Sequence, residues 1–280
     1  DNVTAIGDYA FRDDTVLEIS SLHEGLVSIG TGVFQNCEAI TSMNIPTTIT
    51  SISKNAFDGT NMSSINFANN GSYITSIADY AFRNTQFVEF TFPKSISEIG
   101  SYVLADSDLL ERVYMYEDGP FKINEGAFAD SEKFHSLKTL NDNGEVTSRC
   151  SDDDTLYLPE SMVRCDSADY AFRNTKIKHV IFPNSLKSIG TGMFNNCAEI
   201  EEFSFVDVNK SVLRTIEDKA FMGCDKITEF YIPDLVYSVG VSAFASCHEL
   251  LTVHFPDNRL WTAEQTKVAT DYGNRSKERR

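Results

Sequence analysis

The chain has 280 residues, 41% hydrophobic and 23% charged, a normal folded mixture that excludes wholesale disorder. No apolar run approaches the roughly 18–20 residues of a membrane helix, so no membrane span is expected. The formal net charge of −17 is diffuse, which argues against nucleic acid as a partner, because phosphate binding needs a basic face.

The chain starts at Asp1 with neither Met nor signal peptide, so a mature form or a fragment is expected. It enters a repeat at once. The first units are Ile6-Gly-Asp-Tyr-Ala-Phe11, Ile29-Gly-Thr-Gly-Val-Phe34 and Ile52-Ser-Lys-Asn-Ala-Phe57. Ile77-Ala-Asp-Tyr-Ala-Phe82, Ile99-Gly-Ser-Tyr-Val-Leu104 and Ile123-Asn-Glu-Gly-Ala-Phe128 follow. Ser167-Ala-Asp-Tyr-Ala-Phe172, Ile189-Gly-Thr-Gly-Met-Phe194, Ile216-Glu-Asp-Lys-Ala-Phe221 and Val239-Gly-Val-Ser-Ala-Phe244 complete the series. Successive Phe (or Leu104) positions are 23, 23, 25, 22, 24, 44, 22, 27 and 23 residues apart. The 44 is twice 22 and implies one degenerate repeat.

A second piece recurs after each Phe. Cys37, Ile40, Met43, Ile45 and Pro46 follow Phe34; Cys224, Ile227, Phe230, Ile232 and Pro233 follow Phe221. A variant one residue shorter carries Thr85 or Thr175 in place of Cys. Two apolar residues around one polar residue read as a short strand, and the Pro that follows ends it. The I-x-x-x-A-F segment is too short for a free-standing helix. It reads as a turn or helical arc that packs Ala and Phe inward. No single repeat buries its own apolar edge, so neighbours must stack, with strands about 4.8 Å apart in a parallel sheet. Ten or eleven repeats then make a rod or horseshoe on the order of 50 Å long.

This pattern, I-x-x-x-A-F-x-x-C-x-x-L-x-x-I-x-I-P, resembles the BspA-like or Treponema-type leucine-rich repeat and covers residues 3 to 256. The resemblance implies an α/β repeat fold. Its form would be a right-handed leucine-rich-repeat solenoid, with short parallel strands on one face and short turns or helical arcs on the other. The solenoid is expected over residues 1–256, with the degenerate unit near 141–166.

The remaining features are read as follows. Cys37, Cys197, Cys224 and Cys247 each stand three residues after a repeat Phe and read as a buried ladder rather than a zinc site. Cys150 and Cys165 bracket Thr155-Leu-Tyr-Leu-Pro159, the expected strand of the degenerate unit. They form either a disulfide or two unpaired thiols. Residues 257–280 carry six Lys/Arg against four Asp/Glu, and a C-terminal cap with a frayed basic tail is expected there.

No catalytic constellation, metal site or cofactor motif is present in the sequence, so an enzyme is not expected. The residue between the two inward strand positions faces out of the sheet. Down the repeats that column is Asn44, Asn66, Thr91, Tyr114, Ile181, Ser204, Tyr231 and His254, flanked by Glu89, Arg112, His179, Glu202 and Glu229. Exposed aromatics beside acids suit protein recognition; the bland alternative is a solvated sheet face. The resemblance implies a cell-surface or secreted module that binds a protein ligand, such as an extracellular-matrix or host surface protein, in adhesion. The alternative is a non-binding structural spacer or stalk that presents other domains.

Overall fold

The structure, a computed structural model, describes residues 2–71, 73–96, 98–117, 122–147, 154–162 and 168–255. In chain order the strands begin β1 (Ala5–Ile6), β2 (Ser28–Ile29), β3 (Ser42–Ile45), β4 (Ser51–Ile52), β5 (Ser64–Phe67) and β6 (Ser76–Ile77). Next come β7 (Glu89–Thr91), β8 (Glu98–Ile99), β9 (Arg112–Tyr116), β10 (Lys122–Ile123), β11 (Ser136–Leu140) and β12 (Thr155–Tyr157). The series ends β13 (His179–Phe182), β14 (Ser188–Ile189), β15 (Glu202–Phe205), β16 (Thr215–Ile216), β17 (Glu229–Tyr231), β18 (Ser238–Val239) and β19 (Thr252–His254). Every pair of these strands is parallel, as a stack of equivalent turns requires.

Two strand series run along the solenoid. The longer strands alternate, so that Met43 and Ile45 are buried while Asn44 is exposed. The two-residue strands carry Ile29, Ile52, Ile77, Ile99, Ile123, Ile189 and Ile216 into the core. This second series occupies the start of the segment read from sequence as a turn or arc. Both series are interrupted, at different places. The long series divides into β3–β5, then β7-β9-β11-β12-β13-β15, then β17–β19. Its breaks follow 3-10 turns at Ala68–Gly71 and Val208–Lys210, and these inserts are what lengthen two repeats to 25 and 27 residues. The short series divides into β1–β2, β4-β6-β8-β10 and β14-β16-β18. Where one series is open, the other is closed.

The corner holds the stack together. In each unit the N–H groups of the Phe, of the residue two before it and of the residue two after it donate to carbonyls of the next unit. This ladder runs without a gap from Tyr9 N–H and Thr31 O to Gly223 N–H and Ala245 O, at 2.7–3.0 Å. Aiming those N–H groups along the axis requires a left-handed backbone at both flanking residues. Tyr9 and Asp13, Tyr80 and Asn84, and Tyr170 and Asn174 all have φ between 53° and 62°. Two left-handed residues four apart cannot belong to an α-helix. That corrects the expectation of helical arcs: among the described residues the face opposite the long strands is made of turns, and the only helical segments are the two 3-10 turns.

The Phe rings stack inside this corner. Phe11, Phe34, Phe57 and Phe82 follow one another at 5.5–5.6 Å between centroids, and Phe128, Phe172, Phe194, Phe221 and Phe244 at 5.1–6.0 Å. Leu104 separates the two runs. Three residues past the Phe, Cys and Thr do different work. Thr60, Thr85 and Thr175 donate to the Phe carbonyl of their own unit at 2.8–2.9 Å. Cys37, Cys197, Cys224 and Cys247 donate to the Phe carbonyl of the preceding unit at 2.9–3.3 Å.

Candidate functional site

The long-strand face is built from the alternation just described. Phe90 is buried between exposed Glu89 and Thr91, and Phe230 between exposed Glu229 and Tyr231. Register then sets the neighbours across strands: Asn44 beside Asn66, Thr91 beside Tyr114, Ile181 beside Ser204, and Tyr231 beside His254. Asn44, Thr91, Glu202, Glu229 and Tyr231 are exposed; Tyr114, Ile181, Ser204 and His254 are half-buried. Neighbouring polar groups link up where chemistry allows. Asn66 Nδ2 donates to Asn44 Oδ1 at 3.1 Å, and Arg112 meets Glu89 at 2.8 Å. Glu202 and Glu229 lie on β15 and β17, which do not pair.

The column is not continuous. Between Tyr114 and Ile181 stand Lys138 and Tyr157, two positions the sequence reading missed, and both are buried. Every residue of β11 is buried. Past Leu140 the chain turns back on itself: Leu140 pairs antiparallel with Val146, and Thr147 N–H donates to Thr139 O at 2.9 Å. The signal for this was present in Asn141-Asp-Asn-Gly144, a hairpin-type turn directly after Leu140, which stands where other repeats have Pro. The covered strands divide the face into an N-terminal part rich in amides and hydroxyls and a C-terminal part rich in aromatics and acids.

In the C-terminal part the Tyr231 and His254 rings stack at 4.0 Å, 4° from parallel. Tyr231 Oη donates to Glu229 Oε2 at 3.1 Å, and His254 Nε2 lies 3.2 Å from the same oxygen. The hydrogen bond to that carboxylate, and then its negative charge beside the ring, push the Tyr231 phenol pKa up. A groove of about 370 Å³ opens beside the pair, where the Val208–Lys210 turn breaks the sheet; Asn209, Pro233 and Asp234 line it. A smaller apolar groove of about 260 Å³ lies over Tyr157, Ile181, Phe205 and Val206. The other sheet break, between β5 and β7, opens a groove of about 430 Å³ over Asn66, Phe67, Glu89 and Thr91. These volumes fit a few side chains of an incoming partner.

The corner thiols are shut away from solvent. Burial raises all four, Cys197 to about 11 and Cys247 to about 12, so they are inert at neutral pH. Among the described residues no three His, Cys, Asp or Glu groups are placed to hold a metal ion. Among them, too, no helix is long and apolar enough to cross a membrane. Cys150, Cys165 and the cap expected over 257–280 lie outside the described residues.

Comparison with known proteins agrees with this architecture. A model of the BspA type leucine rich repeat region matches residues 4–135, 70–152 and 165–265. A leucine-rich repeat protein from Bacteroides ovatus superposes with a TM-score of 0.51 at 20% identity, covering 91% of this chain and 77% of that one. A leucine rich cell surface protein from Faecalibacterium prausnitzii is 17% identical over 97% of this chain and 81% of its own, with a TM-score of 0.43. A leucine-rich repeat protein from T. pallidum is 16% identical over 98% and 85%, with a TM-score of 0.43. No curated protein matches the sequence.

Proposed function

The chain belongs to the BspA-type leucine-rich repeat family, and from that premise we propose that it is a protein-binding module which acts outside the cell, secreted or at a cell surface, in adhesion. The reading is of recognition, not catalysis. One observation carries it: the C-terminal part of the strand face presents Tyr231, 52% exposed, in a stacked pair with His254, beside Glu229 and on the edge of a groove. An aromatic held by its neighbours loses little entropy on binding and supplies most of an anchor's contact area. The net charge of −17 favours a neutral or basic partner.

Binding to extracellular-matrix and epithelial surface proteins tests this, with the wild type compared against a chain in which Tyr114, Tyr231 and His254 are changed to Ala. Capture by the wild type and loss in the variant are expected. A variant that binds as well as the wild type removes the strand-face reading.

A second reading has its own support. The staggered breaks and the unbroken corner ladder leave backbone pairing between neighbouring units throughout the described stack, which suits a spacer that presents other domains. A wild type that binds none of these surfaces favours the spacer.

A further inference from the structure

Four tyrosines among the described residues are satisfied in one way. Arg12 lies over Tyr9 at 5.6 Å, Arg83 over Tyr80 at 5.1 Å, Lys94 over Tyr116 at 5.9 Å and Arg173 over Tyr170 at 5.9 Å. Each of those cations also holds a carboxylate: Asp13, Asp58, Asp142 and Asp130 in the same order. The triplet is sound chemistry. The ring face and the carboxylate each attract the cation, and each adds to the other.

Tyr231 has the ring and the carboxylate without the cation. Glu229 Oε2 accepts its hydroxyl, His254 covers one ring face, and among the described residues no Lys or Arg lies over it. Lys210, next in sequence to the groove-lining Asn209, is held by Asp207 at 2.9 Å. Ring and acid are both exposed, at 52% for Tyr231 and 55% for the Glu229 side chain. Asp234 adds a second negative charge on the groove wall. Among the described residues the groove therefore offers a negative, ring-floored place to a positive group, and no Lys or Arg lines it.

We propose that Tyr231 and Glu229 are the landing site for an arginine or lysine side chain of a protein partner. The cation lies on the ring and against the carboxylate, as Arg83 does on Tyr80 and Asp58. This rests on the strand-face reading above and names the chemistry that reading leaves open.

The test is a titration of the full chain with arginine amide, lysine amide and neutral citrulline amide, followed in amide TROSY spectra at about pH 7.5, above the ordinary histidine range. Arginine amide is expected to shift β17 and β19 saturably, and citrulline amide to bind about tenfold more weakly. Glu229→Gln removes the site and Tyr231→Leu weakens it about fivefold, while Tyr231→Phe keeps the ring and most of the affinity. Both positions are exposed, so the variants keep the wild-type melting curve. Shifts spread over the whole acidic surface, or equal binding of citrulline amide, overturn the proposal. Binding that emerges only in an Arg259→Gln chain also overturns it, since the occupant is then the chain's own arginine. Failure of the strand-face reading looks different: protein capture ignores every outward substitution while arginine amide still maps to Tyr231.

Discussion

Phe128 and Phe172 are 44 residues apart in sequence, yet their rings stack at 5.4 Å and 18°. The corner of one sits directly on the corner of the other, with Phe128 N–H donating to Ala171 O at 2.9 Å. On the strand side the same interval contributes both β11 and β12, paired to each other and to β9 and β13. The interval is therefore a repeat with a strand and no corner. It adds one strand spacing of about 4.8 Å on the strand side that has no counterpart at the corner. Removing the Phe172 ring strips one stacking partner from both Phe128 and Phe194. Phe172→Ala should destabilise by about 3–5 kcal/mol in urea unfolding; a loss below about 1 kcal/mol would mean that the corner can collapse around the gap.

Asp58 is the one buried carboxylate among the described acids, its side chain 3% exposed. Arg83 grips both oxygens at 2.9 and 3.1 Å, and Gln35 and Asn55 each donate at 2.9 Å. Asp58→Leu leaves these donors stranded and should cost about 3 kcal/mol. The Asp58→Leu/Arg83→Met pair should lose less than Asp58→Leu alone. Additive losses would show that the ion pair contributes nothing as a pair.

Gly126 has φ of +60°, and a Cβ there would run into the Tyr102 ring of the preceding unit. Two penalties act on Gly126→Ala, one from the left-handed backbone and one from the ring. The backbone penalty is about 1 kcal/mol. Tyr102→Ser made alongside should recover the steric part and leave the backbone part. No recovery in the double variant would place the whole cost in the backbone.

The corner thiols give stability a pH limit. Cys197 is raised to about 11 and Cys247 to about 12, both by burial. An unfolded chain ionises its thiols near 8.5. Their contribution is complete below that pH and is lost as pH rises toward 11–12, because only the unfolded state releases the protons. Cys197→Thr should flatten the fall in melting temperature over this range. The same alkaline slope in the variant would assign it to other groups.

Much of this is legible in the residues alone. The Phe period gives the stack, the polar residue between two apolar ones gives the outward column, and repeat equivalence puts His254 beside Tyr231. The short strands are not legible, since two residues such as Ser28–Ile29 carry no alternation to read. Nor is the burial of Lys138 and Tyr157. Spacing shows that 44 residues hold an extra unit, but only the bonds of Thr147 to Thr139 show the chain turning back along the end of β11.

The central claim is that the C-terminal strand face, and not acidity in general, meets the partner. Its most direct test is the dissociation constant for an immobilised extracellular-matrix protein, measured for two charge-matched variants. Glu202→Lys/Glu229→Lys reverses two acids on the face, and Glu38→Lys/Asp108→Lys reverses two exposed acids off the long strands. The account predicts at least about tenfold weaker binding for the first, equivalent to about 1.4 kcal/mol, and wild-type binding for the second. Equal losses in the two variants, or a loss confined to the second, would contradict it.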